Sequence, residues 1–176
     1  MEKPTDEALM QEVSQGNLDA MTLLFERYHK WIYNFFYQMV QDKGVSEDLV
    51  QNVFYKAIRY RGSYKGGKFA SWIFQIARNI SSDHFGKVKK KQIEVVVDQI
   101  PDRTDDQPVE ATEQVERLRI VMDRLPVAEK ELLVMSRFQG MKYKQIAEVI
   151  GSNETAVKTK IHRTIKKLKV LYFETI

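Results

Sequence analysis

Between Glu154 and Lys166 the polar residues recur so that they share the outer side of a helix: Glu154, Thr155, Lys158, Thr159, His162, Arg163 and Lys166. Short polar side chains hydrogen-bond base edges and basic ones hold phosphates, so this face has the chemistry to enter the major groove of duplex DNA. The residues before it indicate how the face would be held. In YKQIAEVIGSNETAVKTKIHR (Tyr143 to Arg163), apolar Ile146, Ala147, Val149 and Ile150 are followed, after Gly151, by Val157 and Ile161. Small Ala147 lets two helices cross closely, Gly151 supplies the positive backbone angle of a tight turn, and Asn153 can cap the second helix. This is helix-turn-helix spacing, against the alternative of an ordinary αα-hairpin inside a helical domain.

A second set of residues has different chemistry. Arg61-Gly-Ser-Tyr-Lys-Gly-Gly-Lys68 reads as a glycine-rich cationic loop carrying an exposed aromatic, Tyr64. It lacks the GK[ST] ending and the preceding strand of a phosphate-binding P-loop. The helix that follows sets Phe69, Trp72, Ile73, Ile76, Ala77 and Ile80 on one face, Arg78, Asn79 and Asp83 elsewhere, and Lys87, Lys89, Lys90 and Lys91 at its end. Basic groups interleaved with aromatics suit a separated nucleic-acid strand, with charge for its backbone and π-faces for unstacked bases. Equally, Phe69 and Trp72 can be core and the lysines a solvated helix end.

Charge separates along the chain. The net charge of +4 across 176 residues is modest, but from Leu118 onward twelve Lys and Arg face six acids. Such a cationic third is what a phosphate-binding module needs. Residues 93–115 are acidic, with Glu94, Asp98, Asp102, Asp105, Asp106, Glu110 and Glu113 around Pro101 and Pro108, and read as a flexible linker that keeps itself off DNA. Its Val95-Val96-Val97 run could form a short strand, though no second strand-like segment is available to pair with it.

Elsewhere the pattern is helical. Thr5 or Asp6 can cap a short helix bearing Leu9, Met10 and Val13, which Gly16 ends. Asn17 is then placed to cap a long helix whose stripe is Leu18, Met21, Phe25, Tyr28, Ile32, Phe35 and Met39. Lys43-Gly44 breaks it, and Ser46 followed by Glu47 and Asp48 restarts a helix with Leu49, Val50, Val53, Phe54, Ala57 and Ile58 inside. Its other face carries Asp48, Gln51, Asn52 and Tyr55, which the residues alone leave as a solvated surface. Leu118 to Leu125 and Leu132 to Phe138 supply two helices to cover the helix-turn-helix. The expected fold is therefore all-α: two small helical domains, residues 1–92 and 116–176, joined by the acidic linker.

Several classes are excluded. Without cysteine there is no disulfide, thiol nucleophile or cysteine-ligated zinc. His29, His84 and His162 stand apart from any metal or catalytic spacing, so the chain is not expected to be an enzyme or to hold a cofactor or metal. No apolar run approaches the roughly 20 residues of a membrane span. A cytoplasmic location is expected.

Together the stretches EDLVQNVFYKAIRY (Glu47 to Tyr60), FASWIFQIARNISSDHF (Phe69 to Phe85), LPVAEKELLVMSRFQGMKYKQIAEVIG (Leu125 to Gly151) and TAVKTKIHR (Thr155 to Arg163) resemble, in order and spacing, bacterial RNA polymerase sigma factors of the extracytoplasmic-function class. The resemblance spans nearly the whole chain. It implies a transcription initiation factor whose first domain docks on core RNA polymerase and melts the minus-ten element, while the second reads the minus-thirty-five element. By that resemblance Asp48, Gln51, Asn52 and Tyr55 would meet the clamp of the largest polymerase subunit. Tyr64, Lys65, Lys68, Arg78, Asn79 and Asp83 would meet the melted strand. The face from Glu154 to Lys166 would meet duplex promoter DNA, with the same domain on the flap of the second-largest subunit. An anti-sigma partner is implied in the same way. The competing class is a stand-alone helix-turn-helix repressor or activator, which would bind duplex DNA unaided and has no need of the basic-aromatic loop and helix.

Overall fold

Thr5 accepts a hydrogen bond from the Ala8 amide at 3.1 Å and so starts helix α1, Asp6–Ser14, whose Leu9, Met10 and Val13 are buried. From there the computed structural model describes residues 2–94 and 113–174, all in helices and connecting turns. The run Val95-Val96-Val97 lies outside the described residues. Helix α2 spans Ala20–Val40, α3 Lys43–Arg59, α4 Phe69–Glu94, α5 Glu113–Asp123, α6 Val127–Leu133, α7 Tyr143–Ile150 and α8 Glu154–Glu174. Both α4 and α5 reach into the acidic stretch, so its segment outside the described helices, residues 95–112, is narrower than the expected linker.

The first three helices depart from the sequence expectation at their ends. Asn17 does not cap α2: Asp19 holds that position without a side-chain hydrogen bond, and the Asn17 amide instead donates to Glu12 at 3.0 Å. The stripe of α2 is also interrupted, because Leu18 and Phe25 are exposed whereas Met21, Ile32, Phe35 and Met39 are buried. Gly44 does not break the chain. Helix α2 ends one turn earlier, at Gln41 with φ 57°, and Asp42 caps α3 by accepting from the Val45 amide at 2.9 Å. Asp42 precedes the first helical residue with an acceptor already aimed at the orphan amides, which makes Ser46 redundant as a cap. Ser46 is buried and donates to the Asp42 carbonyl at 2.6 Å.

Helices α2, α3 and α4 pack mutually, with α1 laid across α2 and α4. Phe35, Phe36, Phe69 and Phe74 fill the centre with no exposure. Tyr28 and Arg27 on α2 both engage Asp6 of α1, and the Glu7 carboxylate accepts from the Phe69 amide at 3.2 Å, capping the start of α4. In the second unit α5, α6 and α7 each lie against α8 or its neighbours around Leu133, Met135, Ile146, Val157 and Ile161. Helix α6 runs into a wider turn at Val134–Phe138, where the Gln139 amide donates to the Val134 carbonyl five residues back.

The two units share one apolar core. One seam sets α4 against α7 and the other sets α2 against the wide turn after α6. Lys130, buried, reaches across to the Met39 carbonyl at 3.0 Å and is paired within its own unit with Asp123 at 2.6 Å, while the Trp31 indole donates to the Gln139 carbonyl at 3.4 Å.

Candidate nucleic-acid interface

Helix α7 ends on Gly151 with φ 70°, the left-handed conformation that a side chain would strain. The Gly151 and Ser152 amides return to the Ala147 carbonyl, and Asn153 Oδ1 accepts from the Ala156 amide at 2.8 Å to open α8. Val157, Ile161 and Thr164 form the buried stripe of α8. Opposite it Glu154, Thr155, Lys158, Thr159, His162, Arg163 and Lys166 are all exposed, on one continuous face. The Thr159 hydroxyl donates to the Thr155 carbonyl at 3.0 Å, leaving its lone pairs and methyl outward. The seven expected residues are therefore brought together.

The loop before α4 is built differently from the expectation. Tyr64 is only 9 % exposed: its hydroxyl donates to the Gly67 carbonyl at 2.6 Å and its ring meets Trp72 edge-on at 5.4 Å. It is a packed residue that shapes the loop, not the exposed aromatic its place in a polar loop suggests. Gly66 and Gly67, at φ 89° and 80°, turn the chain so that the Gly67 carbonyl meets the Tyr64 hydroxyl. Lys65 and Lys68 remain exposed beside it. Further along α4 Asn79 and Asp83 are exposed, Asp83 standing 4.0 Å from Lys56. Lys87, Lys89, Lys90 and Lys91 are exposed as well. At about 1.5 Å per residue, Lys68 and Asp83 are separated by roughly 22 Å, the length of several extended nucleotides.

Arg78 is engaged from the other unit. Its Nε donates to Glu131 Oε2 at 3.0 Å, and that carboxylate is only 2 % exposed. Burial pushes the Glu131 carboxyl up from its ordinary range, against the pull of Arg78. Arg78 and Glu131 line a cleft of about 350 Å³ between the units, together with Lys160, Arg163 and Thr164. Glu131 and Lys130 are functional-looking residues that the sequence pattern does not single out, because adjacent charged residues between apolar ones read as surface.

On α3 Asp48, Gln51, Asn52 and Tyr55 are exposed and follow helical spacing, so they form one stripe away from the core. Tyr55 is 60 % exposed, more than a structural tyrosine requires. A further surface feature is an apolar groove of about 400 Å³ between α5 and α8, lined by Val115, Leu118, Leu168, Tyr172 and Phe173.

Comparison with known proteins agrees with this layout. Residues 24–91 match the family described as Sigma-70 region 2, and residues 116–168 match Sigma-70, region 4. The chain is 30 % identical over 168 residues to the ECF RNA polymerase sigma factor BldN of Streptomyces coelicolor, covering 91 % of this chain and 63 % of that one. It is 29 % identical to the ECF RNA polymerase sigma factor SigM of Bacillus subtilis, over 85 % of this chain and 93 % of the relative. In fold it is similar to CnrH, solved in complex with the cytosolic domain of CnrY, at a TM-score of 0.72 and 21 % identity over 94 % of this chain and 96 % of that one. It is also similar to RpoE of Bartonella quintana, solved with the anti-sigma factor NepR, at a TM-score of 0.63 and 18 % identity over 88 % and 96 %. With both regions in place, in order, on an all-helical two-unit fold, the chain belongs to the sigma-70 family, among the ECF RNA polymerase sigma factors.

Proposed function

We propose that the chain binds core RNA polymerase through α3, captures the melted minus-ten strand along the loop before α4 and α4 itself, and reads duplex minus-thirty-five DNA with α8. The observation that carries this reading is that the two units present separate polar faces of different chemistry. The α3 stripe of Asp48, Gln51, Asn52 and Tyr55 is exposed, mixed and aromatic, as a protein contact is. The α8 face is short-chained and basic, as a groove-reading helix is.

The physics supports dividing the task. Melting DNA costs on the order of 1 to 2 kcal/mol per base step in lost stacking, which capture of the unpaired strand offsets. Lys65, Lys68 and the lysines from Lys87 to Lys91 supply charge along that path, and Asn79 supplies a hydrogen-bonding group that tells bases apart. Two weak DNA contacts on one chain raise each other's effective concentration, so neither must be tight alone. The groove between α5 and α8 suits an apolar segment of the polymerase flap. An anti-sigma partner is proposed from the relatives solved with such proteins. No helix among the described residues is long and apolar enough to cross a membrane, and the chain would work in the cytoplasm, where the polymerase is.

The test is co-elution with bacterial core RNA polymerase followed by run-off transcription. Stoichiometric binding that requires residues 1–92, and transcription from a specific promoter, is the expected result. Tight binding to duplex DNA as a dimer, without polymerase, would instead indicate a stand-alone regulator.

A further inference from the structure

Lys68 stands where α4 is capped. It is the last residue before the helix, and its carbonyl already accepts from the Trp72 amide at 3.2 Å. A capping side chain at such a position turns an acceptor oxygen onto the first free amides, as Thr5 does for α1, Asp42 for α3 and Asn153 for α8. Lysine carries only donors. The acceptor comes instead from 62 positions away in the chain: Glu7 Oε1 takes the Phe69 amide at 3.2 Å, a charge-assisted bond at the positive end of the helix.

Glu7 is placed for this by the helix that carries it. Helix α1 sinks Leu9, Met10 and Val13 into the core, and its first turn is tied to α2. There the Arg27 guanidinium donates to the Asp6 carboxylate at 2.6 Å and to the Pro4 carbonyl at 2.9 Å, and the Tyr28 hydroxyl donates to Asp6. The Tyr28 ring in turn meets Phe69 edge-on at 5.1 Å. Two adjacent acids of α1 thus grip α2 and the start of α4 together. The same helix lies against the turn Arg61–Ser63, so it touches both ends of the loop. Burial raises the Tyr64 hydroxyl from its ordinary value and the Glu7 charge adds to that, which puts the middle of the loop within electrostatic reach of Glu7.

The loop needs an outside support, because Gly66 and Gly67, both at positive φ, give its backbone little stiffness of its own. Within it the Tyr64 hydroxyl reaches the Gly67 carbonyl, and Glu7 fixes the next step, into the helix. Lys65 and Lys68 lie on the loop side of that join and Asn79 on the helix side. Discrimination between bases needs such groups held to within about 0.5 Å of one another's proper places. Helix α1 precedes residues 24–91, the stretch matched to Sigma-70 region 2, so this support comes from outside that stretch.

We propose that Glu7 is a positioning residue for minus-ten recognition: it caps α4 where Lys68 cannot, and so holds the lysines of the loop in register with Asn79. This rests on the reading of the loop and α4 as the path of the melted strand. The division leaves a cation at the capping position, facing solvent and free to meet a phosphate, while an exposed side chain of another helix supplies the acceptor.

Three variants separate reach from charge. Glu7→Gln keeps an acceptor oxygen at the same reach without the charge, Glu7→Asp keeps the charge on a side chain one methylene shorter, and Glu7→Ala removes both. Glu7 is exposed, so none of them opens a cavity in the core. Each full chain is assembled with bacterial core RNA polymerase and given a pool of templates carrying one promoter, found by run-off transcription, with its minus-ten positions randomised. Sequencing the templates held in heparin-resistant open complexes reads base preference and total retention separately. The expected result is a preference ratio that falls about threefold or more for Glu7→Ala and Glu7→Asp and stays within about twofold of wild type for Glu7→Gln, with affinity for core polymerase the same throughout. An unchanged ratio in Glu7→Ala and Glu7→Asp, even with lower retention, is what a purely structural role gives; it would overturn the proposal and leave the strand reading intact. A ratio kept by Glu7→Asp and lost by Glu7→Gln would assign the effect to charge and overturn the cap. A wild-type ratio untouched by Lys68→Ala and Asn79→Ala together would overturn the strand reading, and the proposal with it.

Discussion

Arg78 and Glu131 lie 53 positions apart in the chain, in different sequence-matched regions, and meet at 3.0 Å with the carboxylate sealed from solvent. The pair is less a stabiliser than a determinant of how the units fit. Burial raises the Glu131 carboxyl more than Arg78 lowers it, so the folded chain favours the neutral acid relative to the unfolded chain.

The pH consequence has a definite sign. A carboxyl raised on folding contributes stability that is present below its ordinary value and is lost as pH rises through the raised folded value. Glu131→Gln removes that loss. Its stability relative to wild type should therefore improve as pH rises above the ordinary glutamate value of about 4.5, read from urea midpoints over a series of rising pH values. A constant difference over the range would show that Glu131 does not titrate in the fold.

Asp48 is exposed on α3 with Gln51, Asn52 and Tyr55. Asp48→Arg should leave helicity and the thermal midpoint essentially unchanged, since surface substitutions of this kind fall within about 0.5 kcal/mol. Its affinity for core polymerase should fall by about tenfold or more, as expected for a reversed charge at an interface. Retained affinity in a fluorescence titration would remove Asp48 from that interface.

Lys158 projects from α8 beside Thr159 and Thr155. Lys158→Ala should weaken binding to duplex promoter DNA in the polymerase complex and reduce the slope of log affinity against log salt by about one. An identical slope would argue that Lys158 makes no phosphate contact.

Tyr64 donates to the Gly67 carbonyl from a packed position against Trp72. Tyr64→Phe should cost about 0.5–1.5 kcal/mol of stability, the usual net worth of such a hydrogen bond. Loss of transcription without that stability loss would point instead to a direct contact with DNA.

Much of the fold was legible because helical periodicity and local turn chemistry depend on near neighbours. Ile146, Ala147, Val157 and Ile161 fall inside as their spacing requires, and Gly151 and Asn153 make the turn and the cap. The α8 face follows directly, since residues opposite a buried stripe must be exposed. Helix ends were less legible. Asp42 outcompeted Ser46 for the cap of α3, and α2 starts without a side-chain cap while Asn17 turns back to Glu12, because only the path of the chain selects among several capable residues within one turn.

What the sequence determined by itself was the helical class, the two units, the acidic stretch between them and the family. What only the tertiary structure decided was burial at positions whose neighbours come from far along the chain. Tyr64 reads as an exposed aromatic in a polar loop, yet it is covered by Trp72 and by the loop's own return. Lys130 and Glu131 read as surface charge, and Ser71 and Gln75 as unremarkable helix residues, until α4 meets α6 and α7. A periodic pattern records which side of a helix is apolar, but a charged residue becomes buried only when a partner of opposite chemistry is brought to it, and that pairing is a property of the packed chain.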